Sequence, residues 1–141
     1  MSMTRNSLKL THQGALKALA GAIAKAEELG VPQNISVVDD GGNLLAFVRM
    51  DGAKLLSRET SLSKAVTAAS HRQPTSRLNP ADEIKLAIAG GGRLTNLEGG
   101  LPIMIGGQCV GAVGVGSGTG AQDVAVARAA LVAIEAEDQI P

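Results

Sequence analysis

The glycine-paved stretch from Gly99 to Asp123 constrains this chain more than any other. Two apolar runs, Leu101–Ile105 and Cys109–Val115, flank Gly106-Gly107. That pattern predicts a β-hairpin. Its second strand carries Gly111 and Gly114, and Gly116 follows directly. Glycine weakens a strand unless another backbone or a ligand must come close. Two occupants stay open here: a polar ligand, or a helix or neighbouring subunit packed against the strand. A Gly/Ser/Thr loop follows, and Thr119-x-x-Gln122 offers a capping box to a final helix. A strand, a glycine loop and a helix start in succession can turn backbone N–H groups toward an anion or a polar ligand. Gly114, Gly116, Ser117, Gly118 and Thr119 are therefore candidate ligand contacts.

What fills the interior is equally restricted. Phe47 is the only aromatic residue, with no Tyr or Trp. The core must be Ala, Val, Leu and Ile in close contact, and no aromatic platform exists for stacking bases. Thirteen basic residues balance thirteen acidic ones. A neutral chain without a basic stripe argues against nucleic acid and anionic membrane surfaces as partners. No apolar run approaches membrane-spanning length. A single cysteine, Cys109, excludes an internal disulfide and a cysteine-rich metal site. With 141 residues, 45% of them hydrophobic, the chain is expected to form one globular domain over 1–141. Its polar start, Met1–Ser7, shows no signal-peptide core, so a cytoplasmic location is expected.

Taken in order, Thr11–Leu29 is predicted as a helix with Thr11 as cap and Gly30 and Pro32 as stop signals. Leu16, Leu19, Ile23 and Ala26 form its expected buried stripe. His12 falls on that stripe in the first turn, where the helix dipole disfavours a charged imidazole. It reads either as a half-buried core-edge histidine or as a ring able to ligate a metal. Asn34–Asp40 and Asn43–Met50 are predicted strands joined by a tight turn. Ser57–His71 is a second helix, with Leu62, Ala65, Val66 and Ala69 on its apolar side. Its other side sets Lys64 among Ser57, Thr60, Ser61 and Thr67, with His71 two turns on. Facing solvent, that side is ordinary. Facing a cleft, Lys64 is a lone cation suited to a carboxylate or propionate. A loop over Gln73–Pro80, a short helix over Ala81–Ala89 and a last helix over Gln122–Ala136 complete the reading. Two hairpins without strand–helix–strand alternation predict an α+β fold, an antiparallel sheet with helices packed on it.

Several blocks then carry a resemblance. They are Val37-Val38-Asp39-x-Gly41-Gly42, Arg49-Met50-Asp51-Gly52-Ala53, Ser61-x-x-Lys64-Ala65-x-Thr67-Ala68, Gly99-Gly100-Leu101-Pro102, and Gly111-Ala112-Val113-Gly114-Val115 through Gln122-Asp123. In this order they resemble the GlcG/HbpS family, a haem-binding or "haem-degrading" domain also found at the C-terminus of some corrinoid adenosyltransferases. The resemblance implies a profilin-like α/β/α fold: a five-stranded antiparallel sheet between helices, assembled as homo-oligomers from dimers to octamers. The fifth strand would come from Ser7–Leu10 or Leu94–Leu97. Some members use a histidine of the first helix as haem ligand, and His12 is the position that matches. The family loop Val-Ser-Gly-Gly-Thr appears here as Val115-Gly116-Ser117-Gly118-Thr119, with Ser and Gly exchanged.

Two functions follow as expectations. One is an oligomeric small-molecule-binding protein with haem as leading ligand and His12 as axial ligand. The other is an enzyme or accessory protein acting on a small oxygenated metabolite, an organic acid or aldehyde. There Lys64 and the loop N–H groups would bind the anion, and His71 or Asp39 would move a proton.

Overall fold

A computed structural model describes residues 1–138. The elements run α1 (His12–Leu29), β1 (Asn34–Asp39), β2 (Leu44–Arg49), α2 (Ser57–His71), α3 (Glu83–Ala89), β3 (Gly100–Ile105), β4 (Gln108–Gly116) and α4 (Gly120–Ala133). Short 3-10 turns at Thr75–Arg77 and Pro80–Asp82 interrupt the stretch expected to be loop and helix start. The strands form one antiparallel sheet in the order β2-β1-β4-β3. The fold is α+β, with four strands among the described residues rather than five.

The reason for the missing strand is visible at both candidate segments. Near Ser7–Leu10, the Leu8 N–H donates to the Gln108 side chain at 3.0 Å rather than to a strand carbonyl. Around Leu94–Leu97, threonine hydroxyls take the polar backbone groups. Thr67 Oγ1 donates to Arg93 O (3.1 Å) and accepts from Thr95 N (3.1 Å), and Thr75 Oγ1 donates to Leu97 O (2.6 Å). A backbone committed to α2 and its following turn does not extend the sheet.

Alternation along the strands separates two core layers. Ile35, Val37, Leu101, Ile103, Val113 and Val115 point toward α1 and α4. Val38 and Ala112 point toward Ala65, Ala68 and Ala69 of α2. In α1 the buried stripe is Ala15, Ala18, Leu19, Ala22 and Ala26. It differs from the expected stripe because α4 comes close enough to demand alanines: a Cβ on Gly21 would stand 2.5 Å from Ala133 Cβ. Leu16 is left 54% exposed, and His12, one turn before it, is exposed as well. In α4 the buried residues are Asp123, Val126, Ala127, Ala130 and Leu131. That helix stops at Ala133, short of Ala136, because Glu135 turns left-handed (φ 55°) and Ala136 N–H bonds back to Leu131 O at 3.0 Å.

The second helix rests almost directly on the sheet. Ser36 and Gly100 are the cross-strand neighbours of Gly114, giving a row with little or no side chain. A Cβ on Gly114 would overlap Ser61 O and Ala65 N of α2, and one on Gly100 would overlap Lys64 O. Ser36 Oγ and Ser61 Oγ bond across the same contact at 2.9 Å. Gly114 and Gly116 are thus covered by α2, and Gly111 lies against the backbone of β1, so close packing of this chain fills the glycine positions of β4.

Candidate functional site

Close approach of α2 to the sheet carries Lys64 inside. The residue is 4% exposed, and its Nζ donates to Val115 O at 2.7 Å and to Asp123 Oδ2 at 2.9 Å. Asp123 is 3% exposed and lies in the first turn of α4, where the helix dipole favours a carboxylate. Its other oxygen accepts the Gly118 N–H at 3.0 Å. Taking two ions out of water costs several kcal/mol each, so such a pair persists only with good geometry and further hydrogen bonds. Both conditions hold here. Lys64 is therefore not the lone cation expected from its helical face. Its counter-ion comes from fifty-nine positions later in the chain.

Gly99 seals the pair from the sheet side. It adopts φ +121°, and a Cβ there would stand 2.7 Å from Val115 O, 2.8 Å from Asp123 Cβ and 3.1 Å from Lys64 Nζ. Beyond the pair lies a cleft of about 240 Å³. It is lined by Lys54, Ser57, Thr60, Lys64, Leu97, Glu98, Ser117, Gly118, Gly120 and Asp123. Ser117 takes φ +101°, a left-handed backbone that a serine adopts at a cost of order 1–3 kcal/mol. Its Oγ accepts the Lys54 N–H at 2.9 Å, which holds the segment between β2 and α2 over the cleft. The α4 start has the expected capping box, with Thr119 Oγ1 accepting from Gln122 N and Thr119 N donating to Gln122 Oε1.

Of the residues singled out in the sequence, Lys64, Ser117 and Gly118 line one cleft. Gly114 and Gly116 do not: the first sits under Ser61 and Ala65, the second under Thr60 and Ser57. Thr119 is spent on the helix cap. His71 lies at the far end of α2, its Nδ1 3.2 Å from Thr67 O. Asp39 is at the opposite end of β1, which pairs Asp39 with Gly111 and Asn34 with Gly116. Partial burial raises the Asp39 pKa. Hydrogen bonds from Asn43 and Gly41, with Lys9 nearby, outweigh that and hold it below the ordinary carboxyl value. Its oxygens thus close the β1–β2 turn, and neither His71 nor Asp39 faces Lys64. Asp123, Glu98 and Lys54 were missed as site residues. The spacing of Thr119-x-x-Gln122-Asp123 carried a signal for the first, since an acid at the start of a capped helix is well placed to face a cation.

Two other features complete the survey. Cys109 is half-buried, burial pushes its thiol pKa up, and its Sγ donates to Gly111 O at 3.3 Å. It is a packed thiol rather than a nucleophile. Beside the start of α1 runs an apolar groove of about 350 Å³. Leu8, Leu10, Ile105, Val110 and Ile134 form its walls, and Lys9 and Lys17 also line it. His12 is not itself a lining residue, though Thr11 and Gly14, close to it in sequence, are. Among the described residues no three His, Cys, Asp or Glu side chains are placed to hold a metal ion. Among the described residues no helix is long and apolar enough to cross a membrane.

Comparison with known proteins places this geometry among relatives. A family described as haem degrading protein HbpS-like matches residues 10–132. An uncharacterized 15.0 kDa protein in the dhaT-dhaS intergenic region of Citrobacter freundii is 39% identical over 137 residues, covering 93% of this chain and 96% of the relative. The crystal structure of Klebsiella pneumoniae protein ORFY superposes with a TM-score of 0.91 at 35% identity, covering 98% of this chain and 99% of that one. A structure of a PduOC:heme complex superposes with a TM-score of 0.86 at 27% identity, covering 92% of this chain and 98% of that one.

Proposed function

We propose a function that proceeds from one fact: this chain belongs to the HbpS-like family. The chain is a haem-binding protein that works as a homo-oligomer, with His12 as the axial ligand of the haem iron. The observation that carries this reading is the neighbourhood of His12. The imidazole is exposed and has no hydrogen-bond partner among the described residues. Leu16, one helical turn away, is 54% exposed, and the apolar groove beside α1 offers further surface for a macrocycle. Lys17 supplies a cation for a propionate, whereas Lys9 is already held by Asp40 at 2.9 Å. An apolar wall, a free imidazole and a nearby cation fit a haem. When bound, the group brings redox-active iron; the protein's part is to ligate it, orient it and cover its face.

The groove is open, so one chain covers only part of such a ligand. A second copy completes the enclosure in this proposal. Leu16 and Val132, the latter 72% exposed, are the apolar surface available for it. The relative solved as a PduOC:heme complex supports haem as the ligand.

Haem titration tests the reading. The wild-type protein is expected to give a shifted Soret band. His12→Ala is expected to lose that shift, while His71→Ala, with its ring turned onto Thr67, retains it. No spectral change in the wild type ends the haem reading, and an unchanged spectrum in His12→Ala moves the ligand elsewhere. Light scattering after size exclusion at micromolar concentration is expected to give a mass of several chains. A mass of one chain refutes the oligomer.

A further inference from the structure

The Lys64–Asp123 cleft lies apart from the groove at His12 and shares no lining residue with it. We propose that this cleft is a second ligand site, and that its ligand is a short neutral polyhydroxyl compound of three to six carbons.

Charge sets the class. Lys54 and Lys64 line the cleft together with Glu98 and Asp123, so its ionic groups sum to zero. The start of α4, which would otherwise attract an anion, already faces acids of this chain. Asp123 sits in its first turn, and Glu98 Oε2 lies 2.7 Å from where a Cβ on Gly120 would be. A carboxylate ligand would meet the Glu98 carboxylate as well as the Lys54 ammonium at the cleft, and gain no net attraction from the two together. The cleft therefore offers an organic acid, the ligand expected from a lone Lys64, no net charge to bind to.

Hydrogen-bonding capacity sets the functional group. An ammonium has three donors, and Lys64 uses two of them within the protein. Asp123 accepts one bond on each oxygen and retains lone pairs. The Ser117 hydroxyl accepts from Lys54 N and has its proton left to give. Thr60 donates to Ser57 O and has lone pairs left to accept with. Spare donors and spare acceptors both line the cleft, which suits a group that both donates and accepts at one atom. Hydroxyls on neighbouring carbons do that.

Two further observations concern the segments that bound the cleft. Ser117 holds a left-handed backbone that the exchanged glycine would hold without strain. At the Lys54 edge, Asn34 Nδ2 donates to Lys54 O at 2.8 Å, while its fully buried Oδ1 has no partner. An orphaned buried acceptor costs about 1–3 kcal/mol. Size limits the ligand: a cleft of about 240 Å³ falls below the roughly 300–1,000 Å³ usual for drug-sized ligands, which suits a short chain.

Amide NMR of the full chain tests the site, with glycerol, erythritol and glucitol as neutral probes and threonate as the charged one. Saturable shifts are expected at the amides of Ser117, Gly118 and Gly120 with at least one polyol. Ser57→Ala and Thr60→Val, which line the cleft and make no hydrogen bond to the ion pair, are expected to weaken binding about tenfold, or about 1.4 kcal/mol. Threonate is expected to bind more weakly than erythritol. The proposal falls if none of the three polyols gives a saturable shift at these amides. It also falls if threonate binds as well as erythritol, or if neither variant weakens binding. None of these outcomes moves the Soret band, so the two sites fail separately.

Discussion

Gly114→Ala is expected to destabilise the protein by about 3 kcal/mol, the upper range for inserting a group into a packed interior. The added methyl would overlap Ser61 O and Ala65 N, which are backbone atoms of α2 and cannot rotate away. The helix must lift off the sheet, and the bond between Ser36 and Ser61 at 2.9 Å stretches with it. In a domain of this size the loss corresponds to roughly 10 °C in Tm. Gly41→Ala is the control: its nearest neighbour would be a side-chain tip, Asn43 Nδ2 at 3.1 Å, rather than backbone, and its own backbone is not left-handed. Chemical denaturation of the two variants decides. Equal effects would mean that α2 does not rest on the glycine row.

Asp123→Ala is expected to be as severe, at about 3–5 kcal/mol, because it leaves the Lys64 ammonium buried without its counter-ion. Removing both charges reverses much of this. The double variant Lys64→Met, Asp123→Leu replaces two desolvated ions with apolar groups and is expected to recover most of the lost stability. It keeps no acceptor for the Gly118 N–H, so recovery stays incomplete. A double-mutant cycle in denaturant measures the coupling. Single variants within about 1 kcal/mol of wild type would show that the pair is solvated rather than buried.

Much of the fold was legible in the residues because it was written locally. Thr11, Gly30, Gly106-Gly107 and the capping box of Thr119 and Gln122 act within a few positions, and each stands where its chemistry put it. The errors arose from tertiary contact. The stripe of α1 moved from Leu16 to Ala15 and Ala18 because α4 packs too close for a leucine there. That same shift left His12 exposed instead of buried. Residues 94–97 failed to form a strand because Thr67 and Thr75, twenty or more positions earlier, claimed their backbone groups. At the cleft, Lys64 and the loop were legible as polar elements. The pairing of Lys64 with Asp123 was not, since nothing in the spacing of two helices says which ends meet.

The strand order has a kinetic consequence. Each hairpin, β1–β2 and β3–β4, closes over a few residues and can form early. They are joined through a single seam, β1 against β4, in which Asn34 pairs with Gly116 across more than eighty positions. Loop-closure entropy is paid before that seam returns anything, so its formation sets the folding rate. The chain between the halves passes through Gly90-Gly91-Gly92, where the exposed Gly91 and Gly92 have positive φ and no neighbours that a side chain would disturb. A nick there would leave each fragment its own hairpin, with the seam, the packing of α1 on α4, the contact of α2 with β4 and the Lys64–Asp123 pair to rebuild. The protein is, in that sense, two halves that recognise each other.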